Sequence, residues 1–306
     1  MSLRTVRSNS SYCIRASAFV QCVLLASTTG AWGYAQAEPK DDKSQYTLFN
    51  PTPRELMRPM STDRPDTTES PYTVDAGHFQ LEMSFADYWS DNGSGGLPTS
   101  SGFSAAPMLL KLGLLNQVDL QFGFDPYIRE TLGEGLGMSS TTVEGFGDIL
   151  ARLKVNLWGN DGGDTAFALM PFIEFPNPNG DQGTVSVGGG LISVLAVELP
   201  HEFHSAFMVE FDFNSNDINS NAIVVPYLDT LVLTATVGRT ILGDLAGYIE
   251  YAGFIDLDGT GAYQGYFDTG LTYGLSPDIQ LDCGVRIGLT EAAVDLGIFS
   301  GISVRF

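Results

Sequence analysis

From residue 77 onward, apolar and polar residues alternate almost one for one. Phe79, Leu81, Met83 and Phe85 stand against Gln80, Glu82 and Ser84, and Val118, Leu120, Phe122 and Phe124 against Asp119, Gln121, Gly123 and Asp125. Ile149, Ala151, Leu153, Val155 and Leu157 stand in the same way against Asp148, Arg152, Lys154 and Asn156. A period of two belongs to a strand whose faces meet different surroundings. Twelve such segments are predicted, near 78–89, 104–114, 118–127, 146–158, 165–175, 184–198, 204–213, 223–238, 244–255, 263–274, 279–289 and 296–306. Parity is unclear only in 223–238, where Asp229 falls on the face of Leu231 and Leu233, and a bulge there would resolve it.

The connections alternate too. Those after the even-numbered segments are short, such as 115–117, 199–203 and 275–278, whereas 90–103, 125–145 and 214–221 are longer or more polar. Short turns on one side and longer loops on the other, with an even strand count, predict a closed antiparallel transmembrane β-barrel. Tyr88, Trp89, Phe124, Tyr127, Trp158 and Phe175 near strand ends fit an interfacial girdle. A soluble sandwich or lipocalin-like barrel would also alternate, so periodicity leaves that alternative open.

Targeting narrows the choice. Arg4, Arg7 and Arg15 precede the short apolar run 16–26, and Ala35-Gln36-Ala37 offers small residues for cleavage, so residues 1–37 read as a signal peptide. The run is too short for a spanning helix, which needs about 20 residues, whereas a tilted strand crosses with about 9–11. Loss of three arginines takes the formal charge from -21 to -24, which excludes nucleic acid as a partner. Cys13 and Cys22 leave with the leader, and Cys283 alone cannot form an internal disulfide. Residues 38–76, with prolines at 39, 51, 53, 59, 65 and 71, have no sustained period and read as a periplasmic or lumen-plugging segment before a barrel over 77–306.

Two resemblances add to this. A chain closing on Phe306 resembles bacterial outer-membrane proteins, whose terminal aromatic is read by the barrel insertion machinery. Asp63-Arg64-Pro65-Asp66, Glu69-Ser70-Pro71 and the run from Gly77 to Glu82, with 271–282 and 301–306 at the other end, are similar to the family labelled "putative MetA-pathway of phenol degradation". That resemblance implies an outer-membrane transporter for small solutes, aromatic or hydrophobic compounds among them, and carries no catalytic residues.

Strand parity turns the charges inward. Glu82, Lys111, Asp119, Asp125, Asp148, Arg152, Lys154, Glu174, Glu210, Asp212, Glu250, Asp268, Asp282, Arg286 and Arg305 fall on the lumen side. Either they pair across a packed interior, or the excess of acids selects cations. Glu82, Arg152, Lys154, Glu250, Asp268, Asp282, Arg286 and Arg305 are the candidates for the solute path. Asp268 and Asp282 are the expected partners of Arg305, while Asp282 and Arg286, too far apart on one strand for immediate contact, can share Asp268 and Arg305 as cross-strand partners. Asp63, Arg64 and Asp66 are the plug candidates, with Arg64 meeting Glu82 or Glu250; the alternative is a plain periplasmic turn. Tyr88, Phe172, Tyr248 and Phe299 are the aromatics expected to face inward.

Enzymatic chemistry has little support. His204 and Ser205 are neighbours on a strand and point to opposite faces, and no G-x-S-x-G occurs. His201-Glu-Phe-His204 lacks the helical spacing of a zinc site, and Asp256-Leu-Asp258-Gly259 and Asp91-Asn-Gly complete no calcium loop. The reading is therefore an outer-membrane channel or facilitator for passive passage, with no cofactor and no metal, whose partners are outer-membrane lipid, the insertion machinery at Phe306 and a small-molecule solute. The alternative is a structural or adhesion barrel acting through its outer loops.

Overall fold

The computed structural model describes residues 42–93, 99–133, 140–177, 187–215, 227–257 and 261–306. The expected signal peptide, residues 1–37, and Asp258-Gly259 lie outside the described residues. Fifteen ladder segments form one antiparallel sheet: β1 (Phe79–Asp91), β2 (Ser100–Ala105), β3 (Met108–Leu115), β4 (Val118–Phe124), β5 (Tyr127–Leu132), β6 (Thr141–Gly145), β7 (Ile149–Trp158), β8 (Thr165–Phe175), β9 (Gly188–Leu199), β10 (Phe203–Ser215), β11 (Tyr227–Leu242), β12 (Leu245–Asp256), β13 (Gln264–Ser276), β14 (Ile279–Gly288) and β15 (Leu296–Arg305). The pairs β2–β3, β4–β5 and β6–β7 each follow one line through the wall, so fifteen segments make twelve barrel strands. Pairing of β15 with β1, from Gln80↔Arg305 to Ser90↔Leu296, closes the barrel.

Three expected strands are interrupted at one level. Pro107, Pro126 and the stretch 146–148 break them side by side, and Ala106 takes a left-handed conformation with φ 56. A proline cannot donate to the ladder, and the wall kinks where two lie on adjacent strands. The expected loop 125–145 instead carries the hairpin β5–β6. Among the described residues of 223–238 the expected bulge does not occur: β11 pairs in unbroken register with β10 over 227–239 and with β12 over 230–239, and its bulge lies later, between Thr240 and Leu242. Parity was ambiguous there because Val232, Thr234 and Thr236 face inward and Leu231 and Leu233 outward, leaving little polarity contrast.

The outer face is apolar. Leu110, Phe122, Ile173, Phe207, Val209, Phe211, Leu233, Ile249 and Leu271 are all exposed, a band that has no place in water and matches hydrocarbon. Among the described residues no helix is long and apolar enough to cross a membrane; the crossing is made by strands. The barrel is thus an outer-membrane barrel, with its short turns on the side where the segment before β1 enters.

The inner face divides in two. Ala168, Met170, Ile192, Val194, Met208 and Val232, on β8 to β11, form one buried apolar cluster. The polar and charged inward residues concentrate on β1, β3, β4, β7 and β12 to β15. Alternation alone concealed this, because a strand apolar on both faces loses the period of two.

Candidate functional site: the lumen and the segment within it

Residues 58–76 run inside the barrel, as their partners show. Asn156 donates to the Pro71 carbonyl at 2.9 Å, Val74 N–H to Asp119 at 3.0 Å, and Thr67 and Thr68 N–H to Glu250, each at 2.7 Å. Every acceptor or donor named belongs to an inward position of a different strand. Buried backbone groups need partners, and lumenal side chains supply them here.

Asp63 is the hub. Its carboxylate meets Lys111 Nζ at 2.5 Å, Lys154 Nζ at 2.7 Å and Arg152 at 3.3 Å, and accepts Ser70 N–H at 2.9 Å. Burial opposes its ionisation, but the three cations outweigh that and hold the carboxyl well below the usual carboxylate range. Its own N–H donates to Glu82 at 2.9 Å, and Glu82 also pairs with Lys111. Glu69 takes up the rest of the Arg152 guanidinium in a fork-to-fork contact.

Arg64 points the other way. It pairs with Asp282 at 2.8 Å and donates to Ser84, so the expected contacts with Glu82 and Glu250 are not made. Those two carboxylates are held by backbone N–H groups of the segment, which reach them because they come from Asp63, Thr67 and Thr68. Asp66 faces Thr236 and Glu250; burial, and then the Glu250 charge, push it well above the usual range. Arg286 pairs with Asp268 at 2.7 Å, as expected.

Arg305 corrects a second expectation. It pairs with Asp278 in the β13–β14 turn at 2.9 Å and donates to the Arg58 carbonyl at 2.8 Å, with neither Asp268 nor Asp282. The register explains it, because Asp282 lies opposite Gly301, two inward positions from Arg305. Burial raises the Asp278 carboxyl, but the hydrogen bonds and charges of Arg305 and Arg54 outweigh it and hold the group below its ordinary value. Arg58, Asp75, Lys43 and Asp161 complete a network at the same mouth that sequence reasoning missed. Asp75 stood two residues before the singled-out Gly77, but no period marked it.

The outward bulge between Ser84 and Ala86 overturns one aromatic assignment. It reverses the parity of the rest of β1, so Tyr88 is 47% exposed on the outer face while Asp87 and Trp89 turn inward. Phe172, Tyr248 and Phe299 face the lumen as expected, each over a glycine of the next strand. A Cβ on Gly190, Gly270 or Gly284 would lie 2.7, 2.7 or 2.5 Å from the ring concerned. Trp89 lies over Gly102 in the same manner.

Two open cavities flank the Arg64–Pro65 turn. One, of about 630 Å³, lies on the short-turn side and runs from Tyr72 to Tyr248 along β9 to β13. The other, of about 490 Å³, lies beyond the turn among Trp89, Tyr266 and Phe299. A third, of about 330 Å³, is walled by Asp87, Asp125, Asp148 and Glu174. Asp125, Glu174 and Asp212 make no ion pair among the described residues. Among the described residues, ion pairing is thus gathered around the segment, and acids without an ion pair lie beyond it.

His204 sits at the mouth of the first cavity against Glu198, at 2.5 Å, while Ser205 points away to the Thr236 carbonyl. His201 lies in a turn with φ 65. Among the described residues no group of three His, Cys, Asp or Glu is arranged to hold a metal ion.

Residues 62–306 match the family described as "Putative MetA-pathway of phenol degradation". The chain belongs to that family. No protein with a curated functional description matches the sequence. Of solved structures, an outer-membrane channel from Pseudomonas putida F1 superposes with a TM-score of 0.55 at 11% identity, over 80% of this chain and 100% of that one. The translocator domain of the autotransporter NalP from Neisseria meningitidis does so with a TM-score of 0.50 at 9% identity, over 75% and 88%. At such identities the likeness is one of fold, and a channel and a translocator share it. What distinguishes this family member must be read from its own lumen.

Proposed function

We propose that this protein is an outer-membrane facilitator for the passive passage of small solutes of low polarity, aromatic compounds among them, and that residues 58–71 regulate the opening as a plug. The observation that carries this is the placement of two open cavities on either side of one turn, Arg64–Pro65, which both of them touch. A solute entering from outside meets Trp89, Tyr266 and Phe299, and one leaving to the periplasm meets Tyr248 and Tyr72. Arg64 and Pro65 line both cavities, and the ion pair of Arg64 to Asp282 holds the turn between them. No group that performs a reaction is needed; the proposed mechanism is diffusion down a gradient, with the lumen supplying surface and charge.

Barrels of twelve strands stand between those that side chains fill and those that leave a wide water channel. Occupation of this one by a segment bound through charge-assisted hydrogen bonds supports a low resting conductance. The candidates Glu82, Arg152, Lys154, Glu250, Asp268, Asp282 and Arg286 act in this reading as the socket of the plug, and Arg305 as a clasp at the periplasmic mouth. Planar-bilayer recording and liposome swelling test it together: removal of residues 58–71 should raise single-channel conductance several-fold and admit larger uncharged solutes. A barrel equally sealed with and without the segment would support the structural or adhesion alternative instead.

A further inference from the structure

We infer that the outer cavity is a binding site for small planar aromatic molecules that carry a hydrogen-bond donor, a hydroxyl or an amino group, and that it discriminates against aromatic carboxylates. The inference rests on the channel reading and specifies the solute it favours.

Three observations lead to it. First, the walls are aromatic and fixed. Trp89 lies over Gly102, where a Cβ would come within 2.0 Å of its Cζ2, and Phe299 lies over Gly284, where one would come within 2.5 Å. A glycine beneath each ring lets it lie against the wall and present its face to the cavity. Tyr266 adds a third ring, with the Arg286 guanidinium 5.4 Å from its centre. Faces of this kind hold a planar ring by stacking or edge contact, each worth about 0.5–1.5 kcal/mol beyond area alone.

Second, the two cations at the cavity are already engaged. Arg286 is paired with Asp268 and Arg64 with Asp282, at 2.8 Å or less. A carboxylate solute would have to displace an aspartate from either, so it gains no free positive partner. Third, one polar atom is not engaged. Asp87 lines the cavity, and its Oδ1 is enclosed without a hydrogen-bond partner. An enclosed acceptor left unpaired is costly, and a donor on the solute would relieve that cost. A carboxylate offers Asp87 only like charge, whereas a hydroxyl or amine offers a proton.

The test uses the processed, full-length protein in detergent, with phenol, aniline, toluene and benzoate as probes, followed by saturation-transfer NMR with competition. Phenol and aniline should bind at least roughly tenfold more tightly than benzoate. Asp87→Leu should weaken phenol and aniline by roughly tenfold while leaving toluene within about twofold. Gly102→Ala should weaken all three neutral probes together, because Trp89 must swing into the cavity. Retained heat-modifiable migration on gels establishes that each variant is a closed barrel. Benzoate binding as tightly as phenol, an Asp87→Leu variant that weakens phenol and toluene alike, or an inert Gly102→Ala overturns the inference. Conductance recorded on the same preparations separates the two readings. A conducting barrel without this order of binding loses only the solute assignment, and a sealed barrel with it loses only the channel.

Discussion

Asp63 shows how much one residue can hold. Its carboxylate is shared by Lys111, Lys154 and Arg152, three cations from three strands, so Asp63→Asn leaves buried positive charge without its counterpart. Breaking a buried ion pair on one side costs about 3–5 kcal/mol. Urea unfolding from lipid vesicles should show a loss of that order, accompanied by larger and noisier conductance; an unchanged midpoint would show that the hub is not needed. The pH dependence follows from the sign of the shift. A carboxyl held below its ordinary value of 3.8 adds stability that is complete above that value and is lost as pH falls toward its folded value. The contribution of Asp63 itself should therefore decline in acid below about pH 4, while Glu69 beside it, raised to about 7 chiefly by burial, adds a dependence near neutral pH; both are measurable as the difference between wild type and Asp63→Asn. The acids beyond the segment act differently. With Asp125 and Glu174 unpaired at the third cavity, bilayer reversal potentials should show cation preference, and Asp125→Asn with Glu174→Gln should reduce it by half or more. Side-chain parity makes Lys111, Arg152, Lys154, Asp125 and Glu174 legible as lumenal from sequence alone. Their partners were not legible, because Arg64 reaches Asp282 across a distance in sequence that no local pattern records.

At the level of elements, strands were readable and their faults were not. Alternation places twelve strands and their short turns, since burial on two unlike faces writes a period of two into each. The kinks at Ala106–Pro107 and Asp125–Pro126 and the bulge at Ser84–Ala86 depend on how neighbouring strands meet, and one such fault was enough to send Tyr88 outward and Trp89 inward. The lipid face offers a plain test. Val209 is exposed in the middle of β10, and Val209→Arg should cost about 2–4 kcal/mol of folding free energy in vesicles. Met208→Arg, one residue along, should act through the apolar cluster within the lumen and alter conductance as well. If both variants behave alike, the assignment of faces in β10 is wrong. The apolar inner face of β8 to β11 escaped sequence reading for the reason that made the other strands easy: it lacks contrast.

On the scale of the whole molecule, the barrel and the segment inside it are one structure. Asp63 and Arg64 are adjacent, yet Asp63 is bound to Lys111 and Lys154 on early strands and Arg64 to Asp282 on β14, 218 residues further on. The seam between β1 and β15 runs between these two attachments. Contacts so distant in sequence are the slow part of forming a β-structure, because the chain must lose its freedom before it gains the contact. Here a residue tied to the first strands carries a ready cation for the last hairpin, so the segment can act as an internal guide that brings the final strands to the first. Arg64→Ala should then delay the appearance of the heat-modifiable, closed form during refolding into vesicles, while its final yield changes less. A segment proposed to close the lumen in the finished protein would thus also have helped to close the wall around it.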